Sequence, residues 1–95
     1  MLTGFTRGEA GKLAASVYDQ TADLSFAASG IWVRADQDAD HAIYSAITDG
    51  DWHAGIGGVM FSYSGPYRVT YLPVARVFTV EIDATGEIVA TVSRD

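Results

Sequence analysis

The chain contains no cysteine, so disulfide bonds, thiolate nucleophiles and sulfur-ligated zinc are excluded. The absence of cysteine is typical of a reducing compartment, where the fold must depend on packing alone. No run approaches ~18 consecutive apolar residues, and the first residues lack the basic and apolar regions of a signal peptide. These absences predict a cytoplasmic protein with no membrane contact.

Basic residues are also scarce. Six Lys and Arg stand against 12 Asp and Glu, which gives a net charge of −6. Because proteins bind phosphate backbones mainly through Lys and Arg, direct nucleic-acid binding is not expected. The charge favours a partner protein with a basic surface.

The composition that is present is that of a folded domain. The chain has 95 residues, of which 48% are hydrophobic and 19% are charged. This length suits one modest core, and the composition lies outside the range of disordered chains. We therefore expect residues 1–95 to form a single domain.

A first helix is predicted from Thr6 onward. "TRGE" at residues 6–9 has the form of a capping box, in which Thr6 and Glu9 satisfy each other's free backbone donors. Gly8 and Gly11 each cost about 1 kcal/mol in a helix, so tertiary packing must hold the first turn. Small and apolar residues then recur at helical spacing at Ala10, Leu13, Ala14, Val17, Thr21 and Leu24.

A second, shorter helix is predicted over residues 39–48. Asp38 or Asp40 would cap its start and Gly50 would follow its end. The segment "AIYSAI" also suits a strand. The residues expected on one apolar face of the helix are Ala39, Ala42, Ile43, Ala46 and Ile47.

β-strands are predicted elsewhere, first over residues 25–34 and then in the second half of the chain. Turn residues at 64–66, 73 and 83–86 divide the second half into three or four runs. Alternation predicts an apolar face formed by Phe78, Val80, Ile82, Ile88, Ala90 and Val92. The expected fold is α+β, with one or two helices packed on a three- to four-stranded antiparallel meander.

One short stretch is similar to a known family. "FTVEIDATGEIVATV", residues 78–92, resembles the closing hairpin of PepSY-type domains. The resemblance implies a hairpin at this position, and it assigns no functional role to any residue.

The acidic stretch has several interpretations. Asp36, Asp38 and Asp40 match the first three ligand positions of a calcium-binding EF loop, but His41 replaces its turn glycine and Ile47 its closing carboxylate. We therefore predict no calcium or zinc site and no cofactor. A transition-metal site could instead combine two aspartates with two histidines. These residues are Asp40, His41, Asp51 and His53.

Catalytic patterns are incomplete. Ser62 or Ser64 near His53 and Asp51 lacks the glycine-flanked elbow of a nucleophilic serine. "GIGG" at residues 55–58 lacks the Lys-Ser/Thr of a phosphate loop, so a loop or bulge entering the meander is predicted. Asp49 with Asp51 would suit glycoside chemistry, but a domain of this size has little room for a sugar cleft. We predict that the chain is not an enzyme.

Charge and aromatic content support a binding role. Residues 35–67 include five aspartates and no Lys or Arg, and aromatic residues follow within and after this span. Tyr and Trp often anchor protein interfaces. The predicted partner-binding residues are Asp36, Asp38, Asp40, Asp49, Asp51, Trp52, Tyr63 and Tyr67.

The leading functional expectation is a small acidic protein-binding module. Inhibitors encoded by phages and mobile elements, including anti-CRISPR proteins and nucleic-acid mimics, are often small, acidic and free of cysteine. One alternative is an enzyme or ligand-binding subunit with Asp51, His53 and Tyr63 in a site completed by self-association, for which a homodimer suffices. Another is an assembly subunit joined through a strand edge.

Overall fold

A computed structural model describes residues 2–22 and 38–94 of the chain. The α-helices in these residues are α1 (Arg7–Thr21) and α2 (Ala39–Asp49), and a single 3₁₀ turn, Ile56–Gly58, stands in the segment predicted as a loop or bulge. The strands are β1 (His53–Ala54), β2 (Met60–Ser64), β3 (Tyr67–Leu72), β4 (Val77–Ile82) and β5 (Glu87–Ser93). The domain is α+β, as the sequence predicts.

Helix α1 begins where the capping residue predicts. The Thr6 hydroxyl accepts a hydrogen bond from the Glu9 backbone N–H at 3.0 Å. Ala10, Leu13 and Val17 are buried on one face of the helix, which confirms the predicted stripe at these positions. Leu24, the last member of that stripe, lies outside the described residues.

The first turn of α1 is held by the C-terminal end of the chain. Arg94 Nε donates to the Glu9 carboxylate at 2.6 Å, and its Nη2 donates to the Gly4 carbonyl at 2.7 Å. The same guanidinium lies over the Phe5 ring, 3.9 Å from the centroid. Tertiary contacts therefore support a turn that two glycines weaken.

The segment that suited either a helix or a strand is helix α2. Asp38 is its N-cap residue by position, although its side chain makes no capping hydrogen bond. Gly50 follows the last turn and donates its N–H to the Ala46 carbonyl at 3.1 Å. The predicted apolar face is confirmed, because all five of its members are buried, namely Ala39, Ala42, Ile43, Ala46 and Ile47.

The sheet is an antiparallel meander in chain order from β1 to β5. It has one strand more than the predicted three or four, because residues 53–54 pair with β2 as a short edge strand. One face carries Phe78, Val80 and Ile82 into the core that both helices share, so their predicted burial is confirmed. We call this the inner face and the opposite one the outer face.

Ile88 does not lie on the inner face, which corrects the predicted alternation of β5. The register between β4 and β5 shifts after Val80, which pairs with Ala90, so that Glu81 pairs with Ile88. This bulge places Val89 against the core and leaves Ile88 57% exposed. Ala90 and Val92 are buried as predicted.

The strand predicted over residues 25–34 lies outside the described residues. Neither described helix combines the length and the apolar character required to cross a membrane.

Candidate functional site

The predicted acidic residues do not form one surface in the described part of the chain. Asp38 and Asp40 lie at the start of α2, whereas Asp49 and Asp51 lie at and beyond its end. Eleven helical residues separate these ends by about 16 Å. Asp36 lies outside the described residues, so its position relative to either pair is not assigned.

A cavity of about 220 Å³ lies where α1 ends and α2 begins. Its lining includes Tyr18, Asp38, Asp40 and Tyr67. Asp40 Oδ1 is buried and accepts no hydrogen bond from the described residues. Burial, followed by the charges of Asp38 and Asp40, raises the pKa of the Tyr67 phenol from 10.0 to about 12. This phenol therefore remains neutral across the physiological pH range.

Two aromatic residues of the predicted interface have packing roles. Tyr67 is 1% exposed and points to the inner face. Trp52 packs edge-on against Phe78, with ring centroids 6.4 Å apart, and its Nε1–H donates to the Ala46 carbonyl at 2.7 Å. Tyr67 presents no free surface, and Trp52 is held at the end of α2, so neither belongs to the surface proposed below.

Tyr63 belongs to an exposed group of rings on the outer face. His53, Phe61 and Tyr63 contact one another with centroid separations of 5.9–6.1 Å. His53 is exposed, Tyr63 is 51% exposed, and Phe61 is half-buried. We call these three residues the outer cluster.

Strand pairing explains how the outer cluster forms. Phe61 and Tyr63 are two residues apart on β2, so both point to the same face. His53 is the direct cross-strand partner of Phe61. The alternation around Ser62 indicates the Phe61–Tyr63 pair in the sequence, but the addition of His53 depends on the register of an edge strand that the sequence did not predict.

A polar network occupies the outer face beside the cluster. Glu81 is only 8% exposed there, and its carboxylate accepts hydrogen bonds from Arg68 at 2.7 Å, Thr70 at 3.0 Å and Thr79 at 2.7 Å. Arg68 is the cross-strand neighbour of Tyr63. Its guanidinium also lies 3.6 Å from the Asp83 carboxylate. Both carboxylate oxygens are thus satisfied, and the charge of Arg68 is compensated locally.

The structure separates most of the proposed catalytic and metal-binding combinations. Ser62 is buried on the inner face, whereas His53 points to the outer face, so the two do not form a nucleophile–base pair. Asp40 and His53 lie at opposite ends of α2. Within residues 2–22 and 38–94, no three His, Asp or Glu side chains converge as a metal site would require.

Comparisons of the chain with protein-family models, with curated proteins and with solved structures find no significant match. The similarity of residues 78–92 to a PepSY-type hairpin therefore carries no argument beyond the hairpin itself, which β4 and β5 form.

Proposed function

We propose that this chain is a small non-catalytic protein-binding module that docks on a basic surface of another protein. The observation that carries the proposal is the outer cluster, three contacting rings on the sheet face opposite both described helices. Exposed aromatic side chains supply large contact areas at little entropic cost. The outer cluster would anchor the complex.

The acidic residues would guide the partner toward this surface. Asp49 and Asp51 are exposed at the end of α2 from which the chain enters β1, and Asp51 lies two residues before His53. Asp38 and Asp40 add negative charge at the far end of the helix. Since residues 38–67 include no Lys or Arg, this part of the domain would attract cations at long range.

A narrower form of the proposal is an inhibitor of the kind encoded by phages and mobile elements, anti-CRISPR-like or nucleic-acid-mimicking. Small size, net charge −6 and the absence of cysteine support this form. This form of the proposal predicts that the cationic surface of the partner otherwise binds nucleic acid. The protein and the nucleic acid would then compete for that surface.

One observation favours a second candidate, a ligand-binding or enzyme subunit whose site is completed by a second copy. His53 and Tyr63 are in contact, with ring centroids 6.0 Å apart, and Asp51 is close to them in sequence. Sedimentation of the purified protein tests this candidate. A monomer at all concentrations would remove it.

The binding proposal is tested by photo-crosslinking. The photoreactive residue p-benzoylphenylalanine replaces Tyr63 in one variant and Tyr18 in another, since these tyrosines are 51% and 56% exposed but lie on different layers. In lysate of the native host, position 63 should capture a discrete partner in ~0.1 M salt, with the yield falling toward ~1 M salt. Equal capture at both positions, or none at position 63, would contradict the proposal.

A further inference from the structure

The molecule already contains one complete binding site for an arginine side chain. Arg94 lies over the face of Phe5 while the Glu9 carboxylate accepts from its Nε and Nη2 at 2.6 and 3.3 Å. The Gly4 carbonyl accepts a third hydrogen bond at 2.7 Å. An aromatic face beside a carboxylate thus satisfies the flat, apolar surface and the hydrogen-bond donors of a guanidinium together.

The outer cluster supplies the aromatic component of such a site, and the acidic residues that precede it in the chain can supply the carboxylate. Tyr63 and Phe61 offer aromatic faces with centroids 5.9 Å apart. Asp51 precedes His53 by two residues, so the Cα atoms of the two residues lie within about 7 Å of each other. Asp49 adds a second exposed carboxylate at the same end of α2.

The cation nearest to Tyr63 by strand pairing does not neutralise this surface. Arg68 is the cross-strand partner of Tyr63, but its Nε is bound to Glu81 at 2.7 Å and its Nη1 lies 3.6 Å from Asp83. The charge of Arg68 is therefore matched within the sheet. Among the described residues no Lys or Arg forms an ion pair with Asp49 or Asp51, so we expect their charge to attract a cation of the partner.

We infer that the outer cluster binds an arginine side chain of the partner protein, an inference that rests on the proposed function. The guanidinium stacks on the Tyr63 ring and donates hydrogen bonds to the carboxylate of Asp51 or Asp49. Arginine fits better than lysine because its planar, weakly hydrated group stacks on rings and binds carboxylates with two donors at once. Single-stranded nucleic acid also stacks on exposed rings, but the carboxylates would repel its phosphates.

The test uses oligoarginine and oligolysine peptides of equal length, with oligouridylate as a third probe. Binding is measured by calorimetry in ~0.1 M salt, and the site is located by NMR shift changes. We expect both peptides to bind, oligoarginine about two- to fivefold more tightly, because a guanidinium stacks flat on the ring and binds a carboxylate with two donors, which an ammonium cannot do. The preference should disappear in Tyr63→Ala and persist in Tyr18→Ala. Circular dichroism of each variant verifies its folding, and His53→Ala serves as a second variant of the same surface.

The outcomes distinguish this inference from the function on which it rests. Equal affinity for the two peptides, or a preference that survives in a folded Tyr63→Ala variant, would overturn the arginine site while leaving docking on a basic surface intact. If Tyr63→Ala does not fold, a preference that survives in His53→Ala would overturn it in the same way. Failure of both peptides to bind would overturn the proposed function itself. Oligouridylate shifting the resonances of the outer cluster would overturn both in favour of a nucleic-acid surface.

Discussion

At the scale of single residues, Gly50 is a glycine whose surroundings leave no room for a side chain. A Cβ atom at this position would lie 2.7 Å from the Ala46 Cα and 2.8 Å from the Ser62 hydroxyl oxygen, and closer still to the Ala46 carbonyl oxygen. Two of these atoms belong to the backbone of α2, so they cannot move aside cheaply. Gly11, inside α1, has no atom within 4 Å of the equivalent position.

The two glycines therefore predict opposite effects of the same substitution. Gly50→Ala should lower the free energy of unfolding by about 1–3 kcal/mol through overpacking. Gly11→Ala should raise it by about 0.5–1 kcal/mol, because alanine has the higher helix propensity and no clash opposes it. Urea unfolding of both variants measures the difference. A stabilised Gly50→Ala protein would show that the end of α2 packs less closely than described.

Tyr67 predicts a loss of stability at alkaline pH. Its pKa is raised to about 12 in the folded chain by burial and by Asp38 and Asp40, against 10.0 for an ordinary tyrosine. Below pH ~10 the phenol is protonated in both states, so its contribution is fully present. Between pH ~10 and ~12 the unfolded state releases the proton first, and stability falls by up to about 1.4 kcal/mol per pH unit.

Unfolding in urea across this alkaline range measures the effect, with Tyr67→Phe as the matched variant. The variant should show a shallower decline with pH than the unmodified protein. Parallel declines would mean that Tyr67 ionises at its ordinary pH.

At the scale of secondary-structure elements, α1 protects the exposed edge of the sheet. The Gln20 side chain accepts from the Thr91 N–H at 3.1 Å and donates to the Thr91 carbonyl at 2.9 Å. These are the two backbone groups through which another strand would pair with β5 at this residue. The contact does not favour assembly through this edge, which was one of the functions the sequence left open.

Gln20→Ala should expose that edge. Loss of a hydrogen bond worth about 1 kcal/mol should speed hydrogen exchange of the Thr91 amide roughly fivefold. The amides of Ala90 and Val92 face β4 and should not change. Asp19→Ala, which alters an exposed neighbour, is the control. Unchanged exchange at Thr91 would show that the hydrogen bond to Gln20 does not protect this amide.

At the scale of the whole molecule, charge and aromatic anchoring are located on different groups and should separate kinetically. Changing Asp36, Asp38 and Asp40 together to Asn should slow association with the partner several-fold, because long-range attraction weakens. Tyr63→Ala should instead speed dissociation, because an anchor is lost. Surface plasmon resonance in ~0.1 M and ~1 M salt would measure both rate constants.

A companion variant changes Asp49 and Asp51 to Asn, at the end of α2 nearer the outer cluster. If the partner docks there, this change should slow association and also speed dissociation. If the variant with Asn at positions 36, 38 and 40 associates as fast as the unmodified protein, these three aspartates have no role in guiding the partner. Trp52→Ala is unsuitable as an anchor test, because its contact with Phe78 makes it a stability variant.

Local patterns in the sequence determined most of the fold. The Thr6 cap and the turn residues act through contacts between neighbours in the chain, and the apolar spacing of both helices and of β4 shows which side of each element is buried. Each of these patterns lies within one short segment, so it is visible without knowing which segments pack together. The acidic character of residues 35–67 is likewise a property of composition alone.

Pairing between distant segments decided the rest. The bulge opposite Val80 and Glu81 turned Ile88 outward and placed Val89 on the core, and no local pattern marks it. Tertiary packing buried Tyr67 on the inner face and placed Trp52 against Phe78, while the register of β1 joined His53 to Phe61 and Tyr63. In β2, where Phe61 and Tyr63 alternate with Met60 and Ser62, alternation separates the two faces but does not indicate which one is covered, so that choice belongs to the tertiary structure.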